Sequence, residues 1–347
     1  MRAVTFGGIS RVSVEQVAAP RVVEPSDVVV AVRVAAICGS DLHPYSGRET
    51  GLDLGTVMGH EFLGEVVEVG SAVERFSRGD RVVAPFTTSC GGCWYCERGL
   101  TARCERGQLF GWVQDGHGLH GGQAEYVRVP LADATLVQAP PGASDEAALL
   151  AGDVLSTGFY CAQLGGIEAD HVVAVIGAGP VGVCATIAAR RQAERVFVFD
   201  LISARRELAA RHGATALDPA DATAMEQIRA ATGGRGVDVV LECVGSERAT
   251  ALSYSLVRPG GTIAAAGVHC EPHFAFSPGD AYDKNLTYRA GRCPARAMME
   301  GTMPLVASGE HQLGALFSHR LPFEEAARGY EMFARREDGC TKVLLVP

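Results

Sequence analysis

The stretch VVAVIGAGPVG, residues 172–182, decides the fold of this chain. Its first five residues are uncharged and mostly β-branched, which predicts a buried strand, and GAGPVG matches G-x-G-x-x-G at the start of a helix. Gly177 allows the tight turn, Gly179 lets the backbone approach a pyrophosphate, and Gly182 lets helix and strand pack closely. The helix N-terminus favours the anion. We therefore expect a dinucleotide to bind at Gly177, Gly179, Pro180, Val181 and Gly182.

The residues that follow alternate between strand and helix patterns, which implies a parallel sheet with right-handed crossovers. Strands are predicted at 172–177, 195–200, 237–242 and 260–267, with helices at 181–191, 220–232 and 249–256 and another through ARRELAARHG. The first 150 residues instead predict mostly β structure, with strands at 28–36, 64–70 and 80–85. The tail predicts helices at 295–308 and 323–335 and a last strand, KVLLV.

Asp200 ends the strand after the glycine turn, 23 residues beyond Gly177. A carboxylate there accepts hydrogen bonds from the hydroxyls of the adenosine ribose and repels a 2′-phosphate, so NAD is favoured. Arg205 and Arg206 lie nearby and keep NADP open.

Length, composition and charge limit the class of protein. The 347 residues favour two domains, and 47% hydrophobic with 20% charged residues suits sizeable cores rather than disorder. The net charge of −9 argues against a general affinity for nucleic acid or an anionic membrane. MRAVTFGGIS does not resemble a signal peptide, and the uncharged run 172–189 contains glycines and a proline, which suit a strand, a turn and a helix better than a membrane span. We expect a cytoplasmic protein.

A group of four cysteines is the most specific metal signal in the sequence. Cys90-x2-Cys93-x2-Cys96-x7-Cys104 places four thiolates in one loop, which suits a closed, tetrahedral structural zinc site. An iron–sulfur cluster and buried free thiols are the alternatives, and no second cysteine cluster favours iron. The six other cysteines are dispersed and are expected to pack in the core.

A second possible metal site is spread along the chain. Cys38 lies in CGSDLH, and His60 and Glu61 follow in GHE. Cysteine and histidine are good zinc ligands, and an open fourth position would make the zinc catalytic. By spacing alone, a single cysteine and a distant histidine are more often packing residues than metal ligands.

Taken together, these motifs resemble the zinc-containing medium-chain dehydrogenase/reductase family, the alcohol dehydrogenase group. The resemblance covers nearly the whole chain and includes CGSDLH, GHE, the four-cysteine lobe, GGQAEY at 121–126, DVLSTG at 153–158 and the glycine turn. It implies an α/β protein with a doubly wound Rossmann sheet, which binds NAD, and a mostly β, GroES-like catalytic domain. The implied boundaries are 1–154 and 294–347 for the catalytic domain and 155–293 for the Rossmann domain.

The resemblance also implies a ligand set for a catalytic zinc. Cys38, His60 and Asp153 would hold the ion, with Glu61 as a nearby or alternate ligand. Many relatives have a cysteine where this chain has Asp153, so a salt bridge or a helix cap is the alternative role for that residue. Asp41 would orient His60 through its other ring nitrogen. With the four-cysteine lobe, this makes two zinc ions per chain.

By the same resemblance, Ser40 and His43 form a proton relay that passes through the nicotinamide ribose. Thr157, with Ser156 and Gly158, would lie beside the nicotinamide, the backbone of Val268 would bond its amide, and Lys342 would meet the pyrophosphate. Phe86 and Trp112 are candidate walls of the substrate pocket, with ordinary core packing as their alternative.

The resemblance implies a zinc-dependent oxidoreductase that moves a hydride between a small alcohol or aldehyde and NAD. A polyol or amino-acid dehydrogenase of the same family is the near alternative, and a non-catalytic zinc- and nucleotide-binding regulator is the distant one. We expect no nucleic-acid or membrane partner and a homo-oligomer, either tetramer or dimer.

Overall fold

The computed structural model describes residues 1–337 and 339–347 and divides into two compact units. Unit 1 consists of Met1–Asp153 and Pro294–Pro347, and unit 2 of Val154–Cys293. The first segment of unit 1 forms strands β1 Arg2–Gly8, β2 Arg11–Gln16, β3 Val28–Ile37, β4 Glu61–Val69, β5 Arg81–Val83, β6 Trp112–Gln114, β7 His117–Leu119, β8 Tyr126–Val129 and β9 Val137–Gln138. Its helices are α1 Leu42–Tyr45, α2 Trp94–Glu97, α3 Ala132–Thr135 and α4 Asp145–Leu150.

Unit 2 is a six-stranded sheet in which every pairing is parallel. Its strands are β10 Val172–Ile176, β11 Arg195–Phe199, β12 Thr215–Leu217, β13 Val237–Glu242, β14 Val257–Ala265 and β15 Thr287–Ala290. Its helices are α5 Val154–Gly165, α6 Pro180–Arg190, α7 Ser203–Ala210, α8 Ala222–Thr232, α9 Glu247–Leu256 and α10 Pro278–Asp283. The order β12-β11-β10-β13-β14-β15 reverses direction between β10 and β13, which is where doubly wound sheets bind their ligands. The predicted Rossmann architecture is confirmed.

The uncharged run 172–189 forms strand β10, the glycine turn and helix α6. Gly177 has φ +91°, a conformation that favours glycine, and a Cβ atom on Gly182 would lie 1.7 Å from the carbonyl oxygen of Gly177. The turn therefore depends on glycine at both positions. Across the described part of the chain, no helix is long and apolar enough to cross a membrane.

The rest of unit 1 adds helices α11 Ala295–Ser308 and α12 Ala326–Arg335 and strands β16 His319–Pro322 and β17 Val343–Val346. The main sheet has the order β16-β17-β3-β4-β5-β9, with β8 pairing beside β3. Among the described residues of this sheet, only the β16–β17 pair is parallel. Ala36 of β3 lies opposite Glu61 of β4 and Leu344 of β17. This register places the end of β3 beside the starts of β4 and β17, although the three strands are far apart in the sequence.

Most strands and helices predicted from the sequence are present, but several elements were not predicted, among them strands β1 and β2 and the twelve-residue helix α5. Strands β12 and β15 were not predicted, because three or four residues with mixed exposure carry little periodic signal. The predicted helix at 323–335 begins as a 3₁₀ turn, Phe323–Glu325, directly after Pro322, and becomes α-helical at Ala326. Strand β14 starts at Val257, earlier than predicted.

Two glycine-to-alanine changes test the close packing at the glycine turn. Gly182→Ala should destabilise the protein by at least about 2 kcal/mol, because the new methyl group meets backbone that side chains cannot relieve. Gly301→Ala is the control, since Gly301 lies in α11 and an added Cβ would meet no described atom within 4 Å beyond its chain neighbours and its own helix backbone. That change should stabilise by about 0.5–1 kcal/mol. Thermal unfolding measures both, and a Gly182→Ala protein as stable as the parent contradicts the packing argument.

Candidate metal centres and nucleotide-binding loop

Four side chains with metal-binding atoms meet at one end of the main sheet of unit 1. Cys38 follows β3, His60 precedes β4, Glu61 begins β4, and Asp153 comes from the segment after α4. One ligand atom from each lies within 4.8 Å of all the others, and all four residues are buried. The strand register therefore gathers a set of donors that are up to 115 residues apart in the sequence.

The distances within this set fit a tetrahedral zinc ion. Oδ2 of Asp153 lies 3.3 Å from Sγ of Cys38 and 3.3 Å from Nε2 of His60. Zinc bonds of about 2.0–2.3 Å give a tetrahedron with edges of roughly 3.3–3.8 Å. A thiolate, an imidazole and a carboxylate at these separations suit zinc in chemistry and in size.

Asp41 fixes the orientation of the His60 ring. Its Oδ1 lies 3.2 Å from Nδ1 of His60, and its Oδ2 accepts a hydrogen bond from the backbone N–H of Cys38 at 2.9 Å. Burial alone would lower the pKa of His60, but Asp41, Cys38 and Asp153 outweigh it and raise that pKa well above the usual value. With the Nδ1 proton directed at Asp41, Nε2 is the nitrogen that faces the other donors.

Burial governs the protonation of the other donors. It raises the pKa of the Cys38 thiol to about 11, with Asp153 and Glu61 adding to the effect, so a metal has to displace the thiol proton. Burial would also raise the pKa of Asp153, but its hydrogen bond with His60 and the charge of His60 outweigh burial and lower it. Asp153 is thus ready to bind a cation.

Glu61 is paired with Lys342. The ammonium nitrogen of Lys342 donates to Oε1 of Glu61 at 2.8 Å and lies 2.7 Å from Oε2. Burial raises the pKa of Glu61 to about 7 although Lys342 opposes the rise, and the charge of Glu61 raises the pKa of Lys342 against the effect of burial. The sequence resemblance assigned Lys342 to a pyrophosphate. In unit 1 its partner is Glu61, and the pyrophosphate contact stays a prediction.

The two expected relay residues lie beside the donor set or near it. The hydroxyl of Ser40 is 3.2 Å from Nε2 of His60. His43 is buried in α1, and burial with the charge of Arg48 lowers its pKa to about 4, so its imidazole is neutral near pH 7.

The ring of Phe86 meets the ring of His60 edge-on, with ring centroids 6.4 Å apart, whereas Trp112 is half-buried against the core of unit 1. Of the two proposed pocket walls, Phe86 therefore contacts the donor set.

The four cysteines of the loop form a second group, with their sulfur atoms within 4.8 Å of one another. Sγ of Cys93 lies 3.9 Å from Sγ of Cys104, close to the edge of about 3.8 Å that four zinc–sulfur bonds of 2.3 Å define. Sγ of Cys104 accepts hydrogen bonds from the backbone N–H groups of Cys90 and Arg106. Backbone N–H groups of Glu105 and Cys96 lower the pKa of Cys93 to about 6. Burial raises the pKa of Cys96 to about 12 and also raises that of Cys104, so a metal would have to displace protons there. The spacing of the four sulfur atoms fits a structural zinc ion.

In unit 2, the glycine turn leaves room for an anion. Among the described atoms, a Cβ atom on Gly179 would have a single neighbour within 4 Å, Nη1 of Arg205 at 3.7 Å. Gly179 also caps helix α6, whose N-terminal N–H groups attract negative charge, and Pro180 is at the first helical position. Arg205 thus lies beside the position predicted for the pyrophosphate.

Asp200 supports the glycine turn from the neighbouring strand. Its Oδ2 accepts a hydrogen bond from the N–H of Ala178 at 2.7 Å, and its Oδ1 accepts one from Ile202 at 2.9 Å. A carboxylate has about four lone-pair positions, so acceptor capacity remains for ribose hydroxyls. Arg206 pairs with Asp218 at 3.0 Å and donates to the backbone oxygen of Asp200, so its guanidinium is already engaged.

The remaining predicted cofactor residues lie at separate places in unit 2. Thr157 is in the first turns of α5, and Val268 is 53% exposed in the loop after β14. That loop touches the loop after β13, because a Cβ atom on Gly245 would lie 2.4 Å from the carbonyl oxygen of Val268. Glu242, at the end of β13, accepts hydrogen bonds from Val244 and Gly245 and pairs with His269 at 3.2 Å. Neither Glu242 nor His269 was identified from the sequence.

Two further buried residues near the donor set were also missed. Gln123 donates to Oδ2 of Asp41 at 3.4 Å, and the hydroxyl of Tyr330 donates to Oε1 of Gln123 at 2.9 Å. The motif GGQAEY pointed to the loop of Gln123, but nothing in the sequence connects that loop with a tyrosine 207 residues away.

Two family models match the chain. The alcohol dehydrogenase GroES-like domain matches residues 24–141, within unit 1. The zinc-binding dehydrogenase domain matches residues 180–308, most of which lie in unit 2.

Similar proteins cover almost the whole chain. Zinc-type alcohol dehydrogenase B of Aspergillus flavus is 40% identical over 96% of this chain and 78% of its own length. The structure of alcohol dehydrogenase TADH from Thermus sp. ATN1 is 42% identical in sequence and superposes with a TM-score of 0.92. The match covers 100% of this chain and 99% of that chain. A structure from Sinorhizobium meliloti 1021, described as a zinc-binding dehydrogenase bound to NADP, is 29% identical with a TM-score of 0.84, covering 100% of this chain and 99% of that one.

Metal analysis of a cysteine variant tests the four-cysteine group. The parent should contain two zinc ions per chain, and Cys93→Ser should lose one and unfold at a clearly lower temperature, because a closed site contributes mainly to stability. Cys270→Ser, a change outside both donor groups, should keep both ions. Elemental analysis with thermal unfolding measures this. A Cys93→Ser protein with two zinc ions and parental heat stability would rule out the structural site.

Proposed function

Because the chain belongs to the zinc-containing medium-chain alcohol dehydrogenases and is a zinc-dependent alcohol oxidoreductase, we propose that it oxidises and re-forms a small alcohol with NAD as the hydride carrier. We further propose two zinc ions per chain, a catalytic role for unit 1 and a nucleotide-binding role for unit 2. The observation that carries the proposal is the buried donor set at Cys38, His60 and Asp153, with the hydroxyl of Ser40 3.2 Å from Nε2 of His60.

Cys38, His60 and Asp153 would hold the catalytic zinc, with Glu61 in reserve. When bound, zinc polarises the alcohol oxygen and lowers its pKa, and NAD takes the hydride from the carbinol carbon. A thiolate and a carboxylate together offset the two positive charges of the metal, while Lys342 offsets the charge of Glu61. Asp41 keeps the His60 ring in the orientation that directs Nε2 toward the other donors.

Ser40 and His43 would carry the proton away from the substrate. A hydroxyl both donates and accepts, so Ser40 is able to take the alcohol proton and pass on its own. His43 is neutral near pH 7, with its pKa lowered to about 4, so its imidazole is able to accept a proton in passing. The same burial that lowers the pKa of His43 makes it a transient carrier that returns the proton to solvent.

The choice of NAD rests on Asp200 and Arg206. The carboxylate of Asp200 stands beside the glycine turn, where it repels a 2′-phosphate, and Arg206 is engaged with Asp218. Arg205 lies close to Gly179, which suits contact with the pyrophosphate. Because the similar structure from Sinorhizobium meliloti is bound to NADP, the activity of this protein has to be measured with both NAD and NADP.

A substrate panel tests the proposed activity. Short primary and secondary alcohols, aromatic alcohols, polyols and their carbonyl products should be offered with NAD and with NADP, following absorbance of the reduced cofactor. We expect NAD-linked oxidation of a small alcohol that disappears when a chelator removes zinc and returns when zinc is restored. Turnover confined to polyols or amino acids would favour the alternative within the family.

Removing the Ser40 hydroxyl tests the proton relay. Ser40→Ala should lower kcat by roughly 10²-fold, the lower range for loss of a positioned proton carrier, and leave NAD affinity unchanged. His43→Ala should have a milder effect, because solvent partly replaces the end of a relay. Ser46→Ala is the control, since that exposed hydroxyl bonds backbone oxygens of α1. Steady-state kinetics and NADH titration measure both quantities, and parental turnover in Ser40→Ala removes Ser40 from the mechanism.

Changes at Asp200 test the choice of cofactor. Like charges at close range cost on the order of one to a few kcal/mol, so the parent should prefer NAD at least about tenfold in kcat/KM. Asp200→Gly removes both the repulsion and the ribose hydrogen bonds, so NAD use should fall and NADP use should rise.

Two further variants separate the causes. Asp200→Asn removes the charge while keeping a polar group, so it should raise NADP use with a smaller loss of NAD use. Adding Arg205→Ala to Asp200→Gly should reverse the gain with NADP if Arg205 reaches the phosphate. A parent that prefers NADP, or an unchanged preference in Asp200→Gly, refutes the role of Asp200.

A further inference from the structure

The side chain of Gln123 is buried in unit 1, and its surroundings fix which way its amide points. Its Nε2 is 3.0 Å from the carbonyl oxygen of Ala36 and 3.4 Å from Oδ2 of Asp41. Both partners only accept hydrogen bonds, so the amide nitrogen has to face them. Oε1 therefore faces the hydroxyl of Tyr330, which has to be the donor in their 2.9 Å hydrogen bond.

Glycines bring Gln123 unusually close to the segment before β4 that carries His60. A Cβ atom on Gly59 would lie 2.3 Å from Cγ of Gln123, and one on Gly121 would lie 2.2 Å from the carbonyl oxygen of Gly59. The N–H of Gln123 also donates to the carbonyl oxygen of Met58 at 2.9 Å. The glycines of GHE and GGQAEY thus allow these two loops to pack against each other.

Asp41 connects Gln123 with the donor set. Its Oδ2 accepts from the amide of Gln123 and from the backbone of Cys38, which leaves Oδ1 for Nδ1 of His60. A hydrogen-bond chain therefore runs from Tyr330 on helix α12 through Gln123 and Asp41 to His60. Every member is buried: Tyr330 and Gln123 have no exposed surface.

We propose that Gln123 and Tyr330 are positioning residues of the catalytic zinc centre. Tyr330 holds the amide of Gln123, Gln123 holds the carboxylate of Asp41, and Asp41 holds the His60 ring with Nε2 directed at the metal. This inference rests on the proposed zinc site at Cys38, His60 and Asp153. It adds a link from the C-terminal helix to the metal, and it makes the zinc affinity of unit 1 depend on a hydroxyl that does not touch the ion.

Tyr330→Phe tests the chain with the loss of one oxygen atom. Partners that orient metal ligands contribute about 10- to 100-fold to metal affinity, and a residue one step further out should contribute about 3- to 10-fold. Chelator competition on the full-length zinc protein should show that loss for one of the two zinc ions. The ion in the four-cysteine loop should keep its parental affinity and so serves as an internal reference.

Tyr45→Phe is the matched control. Tyr45 belongs to the same core cluster and packs on Tyr330 with ring centroids 5.4 Å apart, but the hydrogen-bond chain does not pass through it. Tyr45→Phe should keep the parental affinity for both zinc ions. Substitution of the catalytic zinc by cobalt gives a second readout, because a shifted ligand changes the visible bands of cobalt in Tyr330→Phe and not in Tyr45→Phe.

A double-mutant cycle separates positioning from general stability. Gln123→Leu should weaken the catalytic zinc at least as much as Tyr330→Phe does, and Tyr330→Phe should add nothing in that background, since Tyr330 acts only through Gln123. The inference is refuted if the losses of zinc affinity are additive in the double mutant. It is also refuted if Tyr330→Phe keeps the parental zinc affinity and cobalt bands. Neither result contradicts the zinc centre itself. A parent that binds zinc only in the cysteine loop overturns the centre and the inference together.

Discussion

The register of strand β3 against β4 and β17 is the constraint on which the donor set depends. Ala36 lies opposite Glu61 and Leu344, so the ends of the three strands meet at one place. The residues just outside these strand ends are Cys38, His60 and Lys342. A slip of one residue would turn every side chain of a strand to the other face of the sheet and separate the ligands. The apolar residues of β3, nearly all buried, hold that register, so the packing of the sheet also determines the chemistry of the site.

Burial then sets the charge balance at this end of the sheet. Three acidic groups, Cys38, Glu61 and Asp153, face two basic ones, His60 and Lys342, in a region with little solvent. Isolated buried charges are costly, and here each has a partner of opposite sign or a raised pKa that keeps it protonated. A divalent ion at the proposed site would replace protons on Cys38 and His60, which would link metal binding to proton release. The same would hold for the cysteine loop, where burial raises the pKa of Cys96 and Cys104.

In unit 2 the loops at the proposed nucleotide site are held together by close backbone contacts rather than by charge. Gly182 meets Gly177, and Gly245 meets Val268, at distances that no Cβ atom would allow. These contacts draw the loops after β10, β13 and β14 together at the carboxyl ends of parallel strands, where the strand order reverses. Asp200 ties the first of these loops to β11. The nucleotide site that we propose in unit 2 would therefore be a property of the sheet topology, with single side chains such as Asp200 adjusting its preference for one cofactor.

The sequence by itself predicted the strand–turn–helix at 172–182, the alternation that gives the parallel sheet, and the four-cysteine loop. Each of these is encoded within a short segment, where spacing and periodicity carry the information. Cys38, His60 and Asp153 were recognisable only through their flanking motifs, because nothing local shows that they meet. The partner of Lys342 and the roles of Gln123 and Tyr330 came from the tertiary structure alone. Those hydrogen bonds join residues 281 and 207 positions apart, and only the folding of distant strands and helices around one buried site determines which polar groups satisfy each other.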